Sequence, residues 1–164
     1  MSKTTIKFKL DEDEINRAIR EVKAYKRLFL QKCENLVKEL TAQGAEIARV
    51  QVTQLDAIYS GDLKNSIGDY FSTKTGVGII RADTYYAIYV EFGTGVVGSR
   101  SPHPDPQGWQ YDVNNHGDKG WFYYDEKAMK WRWTKGFKSR PFMYNTAREL
   151  EKECVRIAKE VFGR

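Results

Sequence analysis

The chain has 164 residues, a length that suits one domain and allows about 70% of the unfolded surface to be buried. Its 41% hydrophobic and 30% charged residues exclude a disordered chain, and no apolar run approaches the roughly 20 residues that span a bilayer. The net charge of +5 is local: residues 119–140 hold Lys119, Lys127, Lys130, Arg132, Lys135, Lys138 and Arg140 against Asp125 and Glu126, and the rest of the chain is balanced, which excludes a general basic coat.

The segment from Met1 to Lys7 has no apolar core behind its charges and so does not read as a secretion signal. Residues 3–9 alternate as a short strand does. Asp11 with Glu14 three residues on resembles a capping box. A long amphipathic helix is expected over about 13–59. Ile15, Val22, Phe29, Leu36 and Val50 recur at multiples of seven, flanked by Ile19, Cys33, Leu40 and Ile47. Gly44 costs about 1 kcal/mol relative to Ala and is where this helix is open to a break into two. The apolar stripe is suited to packing on the protein's own sheet or on another subunit. Cys33 and Cys154 fall at apolar helical positions and read as buried, reduced thiols; spacing leaves a disulfide open.

Ser60-Gly61-Asp62 interrupts the helix. Residues 67–73 and 77–82 follow as strands around the turn Lys74-Thr75-Gly76, and 85–92 reads as a third strand. Residues 93–120 form a long loop, with six of the thirteen glycines and three of the four prolines. A hairpin comes next, with arms at 121–124 and 129–134; Met129, Trp131 and Trp133 point one way and Lys130 and Arg132 the other. Pro141 opens a final helix whose apolar face is Met143, Ala147, Leu150, Cys154, Ala158 and Val161. The order implies an α+β fold over 1–164: a long N-terminal helix, an antiparallel sheet of about four to six strands, and a C-terminal helix packed on that sheet, with 93–120 as a loop insertion.

No catalytic, cofactor or metal site is expected. Gly93-Thr94-Gly95-Val96-Val97-Gly98 has the spacing of a dinucleotide loop, but a helix must start there to present its amides to phosphate, and Ser99-Arg100-Ser101-Pro102-His103-Pro104 argues against one. His103 and His116 share the loop with Asp105, Asp112 and Asp118, without the spacing of a metal cage. No Gly-x-Ser-x-Gly elbow is present. The strongest functional signal read from residues alone is the hairpin. Lys130, Arg132, Lys135 and Lys138 lie among Trp121, Trp131, Trp133 and Phe137, a pattern that suits an acidic protein surface or nucleic acid, unless the indoles pack inside.

Tyr85-Tyr86-Ala87-Ile88-Tyr89-Val90-Glu91-Phe92-Gly93-Thr94-Gly95 resembles a segment of the small tail-component, or head–tail joining, proteins of long-tailed phages of the HK type. An upstream Ser60-Gly61-Asp62-Leu63-Lys64-Asn65-Ser66-Ile67 and a downstream Arg140-Pro141-Phe142-Met143 match two weaker elements of that family in the same order. The stretch between Gly95 and Gly136 departs from its shorter members. The resemblance implies a non-enzymatic virion protein of the phage neck or tail, acting in tail completion or head–tail joining, made in the host bacterial cytoplasm. It implies neck and tail proteins as partners and a homo-oligomeric ring, with no small-molecule substrate, cofactor or membrane. The interface residues expected on that basis are Glu91, Phe92, Gly93, Thr94, Gly95, Lys130, Arg132, Lys135 and Lys138, with Glu91 bonded to a basic side chain. A nucleic-acid-binding protein working through 119–140 is the alternative.

Overall fold

The computed structural model describes residues 6, 11–58 and 60–163. Most of the strand expected over 3–9, and Tyr59 at the expected helix end, lie outside them. Helix α1, Glu12–Gln54, runs unbroken for 43 residues, about 65 Å. Asp11 caps it by accepting the Glu14 N–H at 2.9 Å. Glu12, Asp13 and Glu14 fill the first turn, where the helix dipole favours negative charge. Gly44 does not break the helix. A Cβ there would lie 2.2 Å from Ile80 Cδ1 and 3.2 Å from Leu150 Cδ2, so the missing side chain lets two other elements approach the backbone.

After α1 comes the short helix α2, Asp62–Ser66, then β1, Ile67–Ser72, and β2, Val77–Ala82, paired antiparallel with Ile67 opposite Ala82. Their turn closes where Gly76, at φ +69°, donates its N–H to Ser72 O at 2.8 Å. The segment expected as a third strand is instead helix α3, Ala87–Phe92. Ala87 and Glu91 are its buried residues, four apart, which is the spacing of one helical face. The β-branched and aromatic content of 85–92 favours a strand locally, but tertiary packing overrides it. The loop insertion is also more structured than expected. It contains helix α4, Gly95–Arg100, and a 3-10 turn, Gly117–Lys119. Strands β3, Trp121–Asp125, and β4, Lys130–Thr134, form the second hairpin. Helix α5, Phe142–Gly163, starts after Pro141, whose carbonyl accepts the Asn145 N–H at 2.9 Å.

The architecture is α+β, but the described strands form two separate two-stranded sheets rather than one sheet of four to six. The C-terminal helix is also placed differently. α5 runs antiparallel along α1, from a bond between Asn145 Nδ2 and Gln51 Oε1 (3.1 Å) to one between Lys32 Nζ and Phe162 O (3.0 Å). A two-stranded ribbon offers one narrow face, and α1 lies against both β1 and β2, leaving α5 to pack on α1. On α5, Val161 is buried and Met143, Leu150, Cys154 and Ala158 are half-buried as expected, whereas Ala147 is exposed and Phe142, Thr146 and Ile157 take the deepest places. Cys33 and Cys154 are half-buried free thiols.

The core joins Ala45, Ala48 and Val52 of α1 to Leu63, Ile67, Ala87 and Phe142. It therefore sits at the C-terminal end of α1. At the other end α5 reaches only as far as Phe29, whose ring is 5.8 Å from that of Phe162. Residues 21–30 are all exposed. Among the described residues, the first 17 or so of α1, about 25 Å of helix, extend past the end of α5, with Ala18 the one buried side chain in that stretch. Among the described residues no helix is long and apolar enough to cross a membrane.

Candidate functional site

Glu91, at the end of α3, is only 7% exposed. Its Oε2 accepts the Met143 N–H at 2.8 Å, and its Oε1 accepts the Tyr144 N–H at 2.9 Å. These amides lie in the first turn of α5, where backbone donors lack partners within the helix and the dipole favours an anion. His103 Nε2 lies 3.1 Å from Glu91 Oε1. A carboxylate only accepts, so Nε2 carries a proton; Nδ1 lies 2.7 Å from Asp105 O and 3.0 Å from Asp105 N, so the Asp105 backbone holds the other edge of the ring. The imidazole is packed against Phe92 (4.5 Å between centroids) and edge-on to Tyr144 (5.3 Å). The pair resembles a catalytic acid–base couple in composition, yet both groups are buried and the carboxylate oxygens face the backbone of α5. Its chemistry is that of a helix cap supplied from another element. Glu91 was expected to bond a basic side chain at a contact with a neighbouring subunit; within the chain its side-chain partner is His103.

The residues after Glu91 form an internal seam. Thr94 and Phe137 exchange backbone bonds at 2.9 and 3.1 Å, and Arg140 N–H donates to Val90 O at 2.9 Å. Gly93 and Gly95 have φ of +81° and +62°, and a Cβ would come within 2.6 Å of Ser139 N or 2.4 Å of Lys135 O. Only glycine accommodates both the conformation and the approach. Glu91, Gly93 and Gly95 are buried and Phe92 and Thr94 half-buried, so this group, expected to face a partner, is turned inward within the monomer.

A helix does begin at Gly95, contrary to the expectation from 99–104. Two of its first three amides are already used: Gly95 N–H donates to Tyr111 O at 2.6 Å and Val97 N–H to Lys135 O at 3.3 Å. The chain's own carbonyls thus occupy two of the donors that a phosphate would need.

Beside this seam lies an open cleft of about 770 Å³, lined by Tyr89, Phe92, Trp109, Tyr111, His116 and Trp121 among others. Trp109 stacks on Phe92 at 5.0 Å and donates its indole N–H to Gly93 O at 3.0 Å. His116 stacks on Trp121 at 4.7 Å and bonds to Asp112 Oδ1 at 3.0 Å. The Gly117 and His116 backbone N–H groups hold the Asp112 carboxyl below the usual carboxylate range. The two histidines are thus tied to different carboxylates. Among the described residues no group of three or more His, Cys, Asp or Glu side chains gathers to hold a metal.

The second hairpin displays the largest aromatic surface. Its register places Phe122 opposite Trp133 and Tyr124 opposite Trp131, so all four share one face, with Tyr123, Asp125, Lys130 and Arg132 on the other. The indoles do not pack inside: Phe122 and Trp131 are 67% exposed, Trp133 50% and Tyr124 43%. With aromatic side chains of 150–250 Å² each, the plate presents about 500 Å², at the upper end for a monomer's apolar patch. Lys135 Nζ lies 5.6 Å from the Trp133 ring, and Trp133 Nε1 donates to Lys119 O at 3.1 Å. On the other face Arg132 is held by buried Asp125, 2.6 Å away, which limits its reach toward a partner. Lys130 and Lys138 are exposed. At the hairpin turn Lys127 Nζ lies 3.0 Å from Asp62 Oδ2, which ties the hairpin to α2 and the C-terminal end of α1.

The sequence reading anticipated which way the hairpin side chains alternate, but not that the indole face would be open. The pairing of His103 with Glu91 was not legible, since the two lie twelve positions apart with α4 between them. No family model, curated protein or solved structure matches the chain.

Proposed function

We propose that this is a non-enzymatic assembly protein of a tailed-phage or prophage head–tail junction or tail, acting in tail completion or head–tail joining through protein–protein contacts. The observation that carries the reading is the aromatic plate of Phe122, Tyr124, Trp131 and Trp133, an open apolar patch at the upper end of what a monomer shows and of the kind that often marks a contact site. Aromatic side chains dominate the energetics of interfaces because they bring a large rigid area together with a hydrogen-bonding edge. The Glu91–His103 pair supports the same reading, because its bonding capacity is spent on seating α5. The resemblance of 85–95, 60–67 and 140–143 to tail-component proteins supplies the setting. The test is mass spectrometry of purified particles from the encoding phage, together with deletion of the gene. The protein is expected in virions, and the mutant is expected to yield unjoined heads and tails. Absence from particles, with intact virions still made by the mutant, overturns the reading.

A second reading, nucleic-acid binding, is favoured by the Lys135 ammonium over the Trp133 ring beside an open indole face. It predicts that log affinity falls with log salt at about −0.7 per phosphate contact on single strands. Binding absent at low salt removes it.

A further inference from the structure

We infer that the protein associates head to tail with a second copy of itself, the projecting start of α1 of one copy lying on the aromatic plate of the next. The inference rests on the assembly reading and names one contact within it.

Residues 21–30 are exposed on every side, and Ile15, Ile19, Val22, Tyr25 and Phe29 are all exposed along the projection. Most helical stability in proteins comes from packing an apolar face, and here that face has no described partner. The plate is the complementary surface: flat, aromatic and flanked at Trp133 by Lys119 and Lys135. The tip of α1 carries Glu12, Asp13 and Glu14, the opposite charge, ahead of Arg20 and of Arg17, which pairs with Glu14 and Glu21. The dimensions agree as well. Ile15 to Val22 covers about 10 Å of helix, and a five-residue strand about 17 Å.

The two surfaces cannot satisfy each other within one chain. The Lys127–Asp62 contact fixes the hairpin near the end of α1 that carries the core. The tip lies at the other end, roughly 60 Å away along the helix. Complementary patches at opposite ends of one molecule make a heterologous contact, which yields a ring if the rotation closes and a filament if it does not.

The experiment uses the full chain and two charge-reversed forms, Glu12→Lys with Asp13→Lys, and Lys119→Glu with Lys135→Glu. Self-association is followed by sedimentation over a concentration series, with circular dichroism to confirm folding. The unmodified chain is expected to self-associate, each form to do so about tenfold more weakly or not at all, and an equimolar mixture to recover association, because each form supplies what the other lacks. Ile19→Ser, on the projection, is expected to weaken association without altering charge.

An unmodified chain that stays monomeric overturns the inference, and the assembly reading then stands or falls on the virion test alone. A hairpin form that associates normally also overturns it. If the helix form has lost association in the same series, the contact is helix to helix; if the hairpin form has lost nucleic-acid binding instead, the plate serves nucleic acid.

Discussion

A carboxylate that accepts three hydrogen bonds in a closed site has a neutral equivalent of the same shape, glutamine, but not one that accepts at both ends. Glu91→Gln places an amide NH₂ where Met143, Tyr144 or His103 now donates, leaving a buried donor without an acceptor. Such a loss costs about 2–3 kcal/mol, equivalent to a fall in melting temperature of about 5–10 °C for a chain of this size. Thermal unfolding followed by circular dichroism checks this, and an unchanged transition would show that the carboxylate does not seat α5. Two glycines offer a contrast that tests the packing directly. At Gly44 the atom in the way is the terminal methyl of Ile80, which can swing aside, so Gly44→Ala is expected to be near neutral, with the helix gain of about 1 kcal/mol offsetting the shift. At Gly136, with φ +90°, a Cβ would fall 1.9 Å from Thr94 O, a backbone atom that cannot move alone. Gly136→Ala is expected to destabilise by more than about 2 kcal/mol in denaturant titration. Asp112 supplies a pH dependence. Its carboxyl is held low by the Gly117 N–H first and the His116 N–H next. The stabilisation is therefore complete above the unfolded value of about 3.9 and is lost as pH falls below it through the lower folded value. The fluorescence of Trp121, stacked on His116, is expected to change over that acid range, and Asp112→Asn is expected to remove the change.

At the scale of elements, α1 is two structures in one helix. Its second half is buried by β2, α5 and the core, whereas residues 21–30 touch solvent all round. Amide exchange is expected to be fast before Phe29 and slow over 41–52, a gradient within a single unbroken helix; uniform protection in a dilute sample would contradict it. The seven-residue recurrence of Ile15, Val22, Phe29 and Leu36 made the helix legible from sequence, and Asp11 marked its start. The first hairpin was equally legible, because Gly76 and the β-branched run 77–82 are local signals. α3 was not. Tyr, Ile and Val over 85–92 favour a strand, and only the contacts of Ala87 with the core and of Glu91 with α5 reverse that preference. Nor was the continuity of α1 through Gly44 legible, since the reason for that glycine lies in Ile80 and Leu150, far along the chain.

For the whole molecule, the alternation of 121–124 and 129–134 marked the aromatic side of the hairpin, while its openness depended on no other element covering it. The projecting helix was hidden for a similar reason, since α5 is 22 residues long against 43 in α1 and the mismatch appears only once the two are aligned. Association should weaken as salt is raised if the acidic tip and the lysines beside the plate meet, and sedimentation across a salt series at fixed protein concentration measures it. The Glu91 cap has a consequence for the birth of the chain. The carboxylate leaves the ribosome 52 residues before the Met143 amide that it accepts, and His103 follows it twelve residues later. Until that amide arrives, closing the seam would strand a negative charge away from water, so the middle of the protein must stay open during translation.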